Sequence, residues 1–161
     1  MSVRWICETR EEFMRCCGTV GLGYYRHDLW RAFEPLSVDD RCRMLDIAAD
    51  FMLPESKAEV LVGCLEAGVP FSYVAGLLDN FSASGPIRQL YEAGVPTEYF
   101  IAVNDIMFRR MVSIPFGYIM SVHAAGVSAE YAVACAGRFN ADKTVSMWRE
   151  GIPLEYIGGL A

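Results

Sequence analysis

The sequence predicts an all-α fold of stacked short helical hairpins, an α-solenoid or right-handed superhelix-like bundle. Three observations predict it. A glycine-led motif recurs four times after residue 67. Apolar residues keep helical spacing between its copies. Only Val3 to Cys7 reads as a short strand, and no partner strand for it is evident.

Taken from the start, the first 67 residues carry helix signals without the motif, and are expected to form a divergent N-terminal helical cap. Thr9-x-x-Glu12, Ser37-x-x-Asp40 and Ser56-x-x-Glu59 each resemble a capping box. Gly18 to Gly23 reads as a glycine-rich turn between helices rather than a phosphate cradle, because no convincing strand precedes it. Val38, Cys42, Leu45, Ala49 and Met52 make the stripe of an amphipathic helix that Pro54 ends. Ala58, Leu61, Val62 and Leu65 line the next helix, which runs into Gly68.

Residues 68–161 are expected to be helical repeats, and the whole chain, 1–161, one domain. Four segments align without gaps: Gly68-Val-Pro-Phe-Ser-Tyr73, Gly94-Val-Pro-Thr-Glu-Tyr99, Gly126-Val-Ser-Ala-Glu-Tyr131 and Gly151-Ile-Pro-Leu-Glu-Tyr156. A degenerate fifth copy starts at Ser113 and carries Tyr118. Glycine tolerates the left-handed backbone that ends a helix. The residue after it then folds back on the apolar position four before it: Cys64, Leu90, Val122 and Met147. Proline suits the first turn of the following helix, and Ser128 caps that helix in the third copy. Glu98, Glu130 and Glu155 sit where the positive end of the next helix dipole lies. Further breaks at Asn80–Pro86 and at Asn140 divide each repeat into two short helices. The last copy is followed by one short helix, which either caps the stack or was cut from something longer.

These segments resemble the short two-helix repeats of bacterial α-solenoid proteins. The Gly-Val-(Pro)-x-Glu-Tyr run is similar to helical repeats appended to some bacterial membrane-bound metalloproteases. There a Thr or Ser usually precedes the proline; here it is absent. The likeness covers Glu66 to Ala161 at most. It implies a bacterial source and a helical-repeat fold, but no catalytic residue, since H-E-x-x-H is absent.

Composition narrows the function. The chain is 53% apolar and 21% charged, enough for a real core. Its net charge of −6 includes no basic stripe, which argues against nucleic acid. Arg109-Arg110, the one basic pair, reads as a solvated helix face. Val112 to Ala129 lacks acidic and basic residues, yet Pro115, Gly117, His123 and Gly126 interrupt it, so no membrane span is expected. No signal core precedes residue 12. The six cysteines include no C-x-x-C pair, and His27 and His123 are far apart. No metal or cofactor is expected, and reduced, mostly buried thiols place the chain in the cytoplasm.

No coherent catalytic set emerges. His27-Asp28 with Cys16-Cys17 is a weak thiol–base combination, and Glu11-Glu12 and Asp39-Asp40 are solvated pairs. Tyr73, Tyr99, Tyr131 and Tyr156 recur at one position, more in keeping with packing in the seam between repeats than with a binding ladder. Three residues before each glycine, Leu65, Tyr91, His123 and Trp148 vary in size and polarity. A solenoid face turned to a partner shows such variation, as does any tolerant surface; if a partner groove exists, Tyr91, His123 and Trp148 are the candidate partner-binding residues. The expected function is non-enzymatic binding of another protein or a peptide, with a homodimer possible. The alternatives are a small acidic, antitoxin-like inhibitor covering a basic surface, and a thiol-dependent enzyme or small-molecule-binding helical protein.

Overall fold

The computed structural model of the chain describes residues 5–22, 29–51, 55–110 and 115–159. Among these residues every regular element is helical, and eleven α-helices and one 3₁₀ turn follow one another. The chain divides into two compact units, residues 1–89 and 90–161.

The first unit holds α1 (Arg10–Thr19), α2 (Leu29–Phe33), α3 (Val38–Phe51), α4 (Glu55–Glu66), α5 (Phe71–Leu77) with a 3₁₀ turn at Leu78–Asn80, and most of α6 (Ser84–Glu92). Thr9 opens α1 with a complete capping box: its hydroxyl accepts from the Glu12 N–H, and the Glu12 carboxylate accepts from the Thr9 N–H. At α3 only half of the expected box forms, the Asp40 N–H donating to the Ser37 hydroxyl at 3.1 Å. Helix α4 begins at Glu55, so Ser56 lies inside it rather than at its cap.

Two other local expectations shift. Helix α1 extends through Gly18, so the glycine-rich turn starts later than the sequence suggested; Gly21 takes the positive φ, and Gly23 lies outside the described residues. Residues 5–7 of the candidate strand have no strand pairing. The stripe of α3 is also rotated: its buried face is Arg41, Met44, Leu45 and Ala48, while Val38 and Ala49 are exposed. The cause is Arg41. Its Nε donates to the Phe33 carbonyl (2.9 Å), one terminal nitrogen to the Cys7 and Glu8 carbonyls (both 3.1 Å), and the other to the Glu34 carbonyl (2.7 Å). The guanidinium also lies 4.6 Å from the centre of the Trp30 ring. A charged side chain buried this way is stable because its donors are met, and no apolar pattern reveals it.

The second unit contains the end of α6, then α7 (Thr97–Arg109), α8 (Pro115–Ala124), α9 (Ala129–Cys135), α10 (Ala141–Arg149) and α11 (Leu154–Gly159). Helix α7 packs on α8 and α9, α8 on α9 and α10, and α9 on α10 and α11. Among the described residues no helix is long and apolar enough to cross a membrane. The apolar stretch after Val112 is interrupted by the turn at Gly126.

The four motif copies are four helix joints of one geometry. Gly68, Gly94, Gly126 and Gly151 have φ of 85°, 73°, 79° and 72°. In each, the next residue donates its N–H to the carbonyl five positions back, as Val127 does to Val122 (3.1 Å) and Ile152 to Met147 (3.1 Å). The glycine N–H bonds the carbonyl three positions back. This pair of bonds is the Schellman cap, and Cys64, Leu90, Val122 and Met147 are all buried beneath it. Pro70 and Pro96 stand at the N-cap, one residue ahead of the first helical turn; Ser128 accepts from the Tyr131 N–H at 3.2 Å.

Glycine substitutions should therefore separate by backbone angle. A Cβ at Gly126 meets nothing within 4 Å, so Gly126→Ala should lose only the left-handed backbone preference, about 1–2 kcal/mol in urea unfolding. Gly18, helical and equally open, should gain about 0.5–1 kcal/mol as alanine. Equal effects at the two sites would contradict the cap assignment.

Candidate partner-binding site

A Schellman cap uses the N–H of the residue after the glycine but not its carbonyl. The following helix begins too late to use that carbonyl either, so it needs an outside donor. The motif tyrosines supply one. The Tyr99 hydroxyl, on α7, donates to the Val127 carbonyl at 2.9 Å, and the Tyr131 hydroxyl, on α9, donates to the Ile152 carbonyl at 3.0 Å. Each tyrosine thus binds the cap of the next motif copy along the chain.

The same tyrosines engage two of the candidate residues. The Tyr99 ring meets His123 with centroids 5.0 Å apart at 86°, and the Tyr131 ring meets Trp148 at 5.0 Å and 70°. Both are edge-to-face contacts, favourable for aromatic rings. Tyr99 and Tyr131 are buried, whereas His123 and Trp148 are half-buried. Each candidate residue therefore has one side in the seam and another at the surface. Tyr91 holds the same cap position on α6, where its carbonyl accepts the Gly94 N–H at 3.0 Å, and its side chain is 41% exposed.

Trp148 also walls an open cleft of about 370 Å³, together with Ser128, Tyr131, Gly151, Ile152, Pro153 and Leu154. A second cleft of about 410 Å³ lies among Met107, Tyr118, Arg138, Phe139 and Asn140. The Tyr118 hydroxyl donates to the Ala132 carbonyl at 2.9 Å and lies 3.3 Å from the Thr144 hydroxyl. Arg110 donates to the Val133 and Ala136 carbonyls, closing the C-terminal end of α9. Arg110 is thus half-buried and bonded, not part of a solvated arginine pair as the sequence suggested. Its adjacency to Arg109 concealed this, because only the fold brings α9 to it.

Titration behaviour opposes thiol catalysis at Cys17, one of the two candidate cysteines. Burial, then the neighbouring Cys16, pushes the Cys17 thiol up to about 12. A catalytic thiol that attacks a diffusing substrate needs a lowered value. Burial likewise raises Cys64 to about 11 and Cys7 to about 12. His27-Asp28 lies outside the described residues. Among the described residues no group of three His, Cys, Asp or Glu side chains is arranged to hold a metal.

Burial also raises Tyr99 and Tyr118 to about 12, above their ordinary value of 10. Deprotonation is easier in the unfolded chain, so their stabilising contribution is intact below pH 10 and is lost as pH rises through about 12. The thermal midpoint, followed by circular dichroism, should fall across that window. The double substitution Tyr99→Phe with Tyr118→Phe should start lower at pH 8 yet fall less steeply; an unchanged slope would contradict the assignment. No family model matches the chain, and no curated protein or solved structure is significantly similar to it, so its functional reading rests on this geometry.

Proposed function

We propose that the motif-bearing part of the chain, residues 68–161, is a stack of helical hairpins of the α-solenoid type that binds a protein or peptide and catalyses no reaction. The carrying observation is the cleft of about 370 Å³ beside the Tyr131–Trp148 pair. It sets an aromatic wall next to a backbone held by the cap at Gly151. Binding surfaces of this kind gain affinity from a preorganised aromatic anchor, because little side-chain freedom remains to be lost. Two further facts support the stacked reading. Helices α7, α8 and α9 each pack on the next two helices along the chain, as a solenoid requires. The tyrosine-to-cap bond joins the copies starting at Gly94, Gly126 and Gly151 in the same way twice.

Trp148, His123 and Tyr91 are the proposed contact residues, with Ser128 and Leu154 added from the cleft. The test is selection of a displayed random peptide library against the full chain, followed by calorimetry on the tightest binders. Trp148→Ala should weaken them about 30-fold or more, the scale of an interface hot spot, while the helical circular dichroism spectrum is retained. Tyr91→Ala should weaken them less. Affinity unchanged in the folded Trp148→Ala protein would overturn the site.

A further inference from the structure

We propose that Cys7 and Cys42 are a modification site: a paired dithiol that small-molecule disulfides oxidise to an intramolecular disulfide. The two Sγ atoms lie 3.1 Å apart, although the residues are 35 positions apart in sequence. Both cysteines are free. A bond requires the sulfurs to approach by about 1 Å, to roughly 2.05 Å.

The surroundings hold the pair in place. Cys7 lies on the segment before α1, and Cys42 on α3. The indole N–H of Trp5 donates to Asp46 at 2.8 Å, fixing the segment to α3 on one side of the pair. Arg41, next to Cys42, donates to the Cys7 and Glu8 carbonyls and fixes it on the other. Neither anchor depends on the thiols, so the register that juxtaposes the sulfurs exists before any bond forms.

Exposure divides the roles. Cys7 is fully buried, whereas Cys42 is half-buried, so Cys42 is the one of the two that an outside reagent meets first. The Cys42 thiolate attacks one sulfur of a disulfide R–S–S–R; that S–S bond breaks, and R–S⁻ leaves with the electron pair and takes up the proton Cys42 released. Burial pushes the Cys7 thiol up to about 12, but its sulfur is held 3.1 Å from that of Cys42, so it attacks within the molecule: it expels the second R–S⁻ from the mixed disulfide, and that thiolate takes up the Cys7 proton. The protein pair is oxidised by two electrons and the reagent is reduced to two thiols. Closure ties the N-terminal segment covalently to α3, which restrains the unfolded chain across a loop of that length.

The test uses the full chain with oxidised glutathione, followed by alkylation, trypsin digestion and mass spectrometry. Cleavage after Arg4, Arg10, Arg41 and Arg43 should yield residues 5–10 joined to residues 42–43. The thermal midpoint should rise on oxidation by on the order of 5 °C. Cys42→Ser should abolish both the linked peptide and the rise, and Cys16→Ser should leave both intact. Glutathione retained on Cys42 without a link to Cys7 would overturn the proposal. So would a link through Cys16, whose Sγ donates to the nearby Ile6 carbonyl at 3.4 Å. The wild-type link is read directly, so a poorly folding variant leaves the proposal open to refutation.

Discussion

Each α-helix leaves its first four N–H and last four C=O groups without internal partners. In a long helix this is an end effect. Here α9 has seven residues and α11 six, so the unpaired groups rival the paired ones in number. A fold made of such helices stands or falls on where those groups find partners. The glycine joints are the first answer: they bond the terminal carbonyls and turn the chain within two or three residues. They also create a new orphan, the carbonyl just after the glycine. Tyr99 and Tyr131 reach across to bond that carbonyl, so the closing of one helix becomes a contact with another. Local capping and tertiary packing are thereby the same interaction.

Cations serve the same need. Arg41, Lys57 and Arg110 all spend donors on backbone carbonyls. Lys57 reaches the Leu78 and Phe81 carbonyls, the former at 2.8 Å, and so finishes the 3₁₀ turn after α5. Arg110 does this for α9, where a positive charge also meets the negative end of the helix dipole. By contrast, the ion pairs Arg15–Glu11 and Arg43–Asp40 are surface contacts at 3.7 and 3.9 Å. Such pairs contribute at most about 1 kcal/mol and fade with salt. A carbonyl-bonded cation contributes differently: removing it strands several acceptors at once, where desolvation makes each one expensive. Among the described residues, no buried side-chain nitrogen or oxygen lacks a partner.

This explains which features were legible in the sequence. The caps were, because a Schellman joint is decided within six residues and needs a glycine and two apolar positions. So were the Thr9 box and the Ser128 cap, both contained in one turn. The buried face of α3 was not, since an apolar stripe reads Arg41 as a surface residue and only the Phe33, Glu34, Cys7 and Glu8 carbonyls make it an interior one. Arg110 and Tyr118 escaped for the same reason: their acceptors lie more than a dozen residues away. The candidate site was half legible. The variable position before each glycine could be named, but nothing local showed that His123 and Trp148 turn one edge into the seam. Leu154 and Ser128 belong to the Trp148 cleft through folding alone.

The variability of that position now has a physical explanation. Its backbone carbonyl accepts the glycine N–H, as at Trp148 and Gly151 (3.1 Å), and any residue can do that. Its side chain need only present a flat edge to the tyrosine of the preceding copy, a demand that His123 and Trp148 meet with different chemistry. The fold therefore restricts this position to one face and leaves the other free. A protein that must vary a contact surface without disturbing its core would place the variation there, where helix ending is entrusted to the backbone. The same reasoning limits how far the position can change. A residue with no ring would keep the cap but forfeit the contact with Tyr131 or Tyr99, so what this side chain presents at the surface and the stability of the seam are coupled.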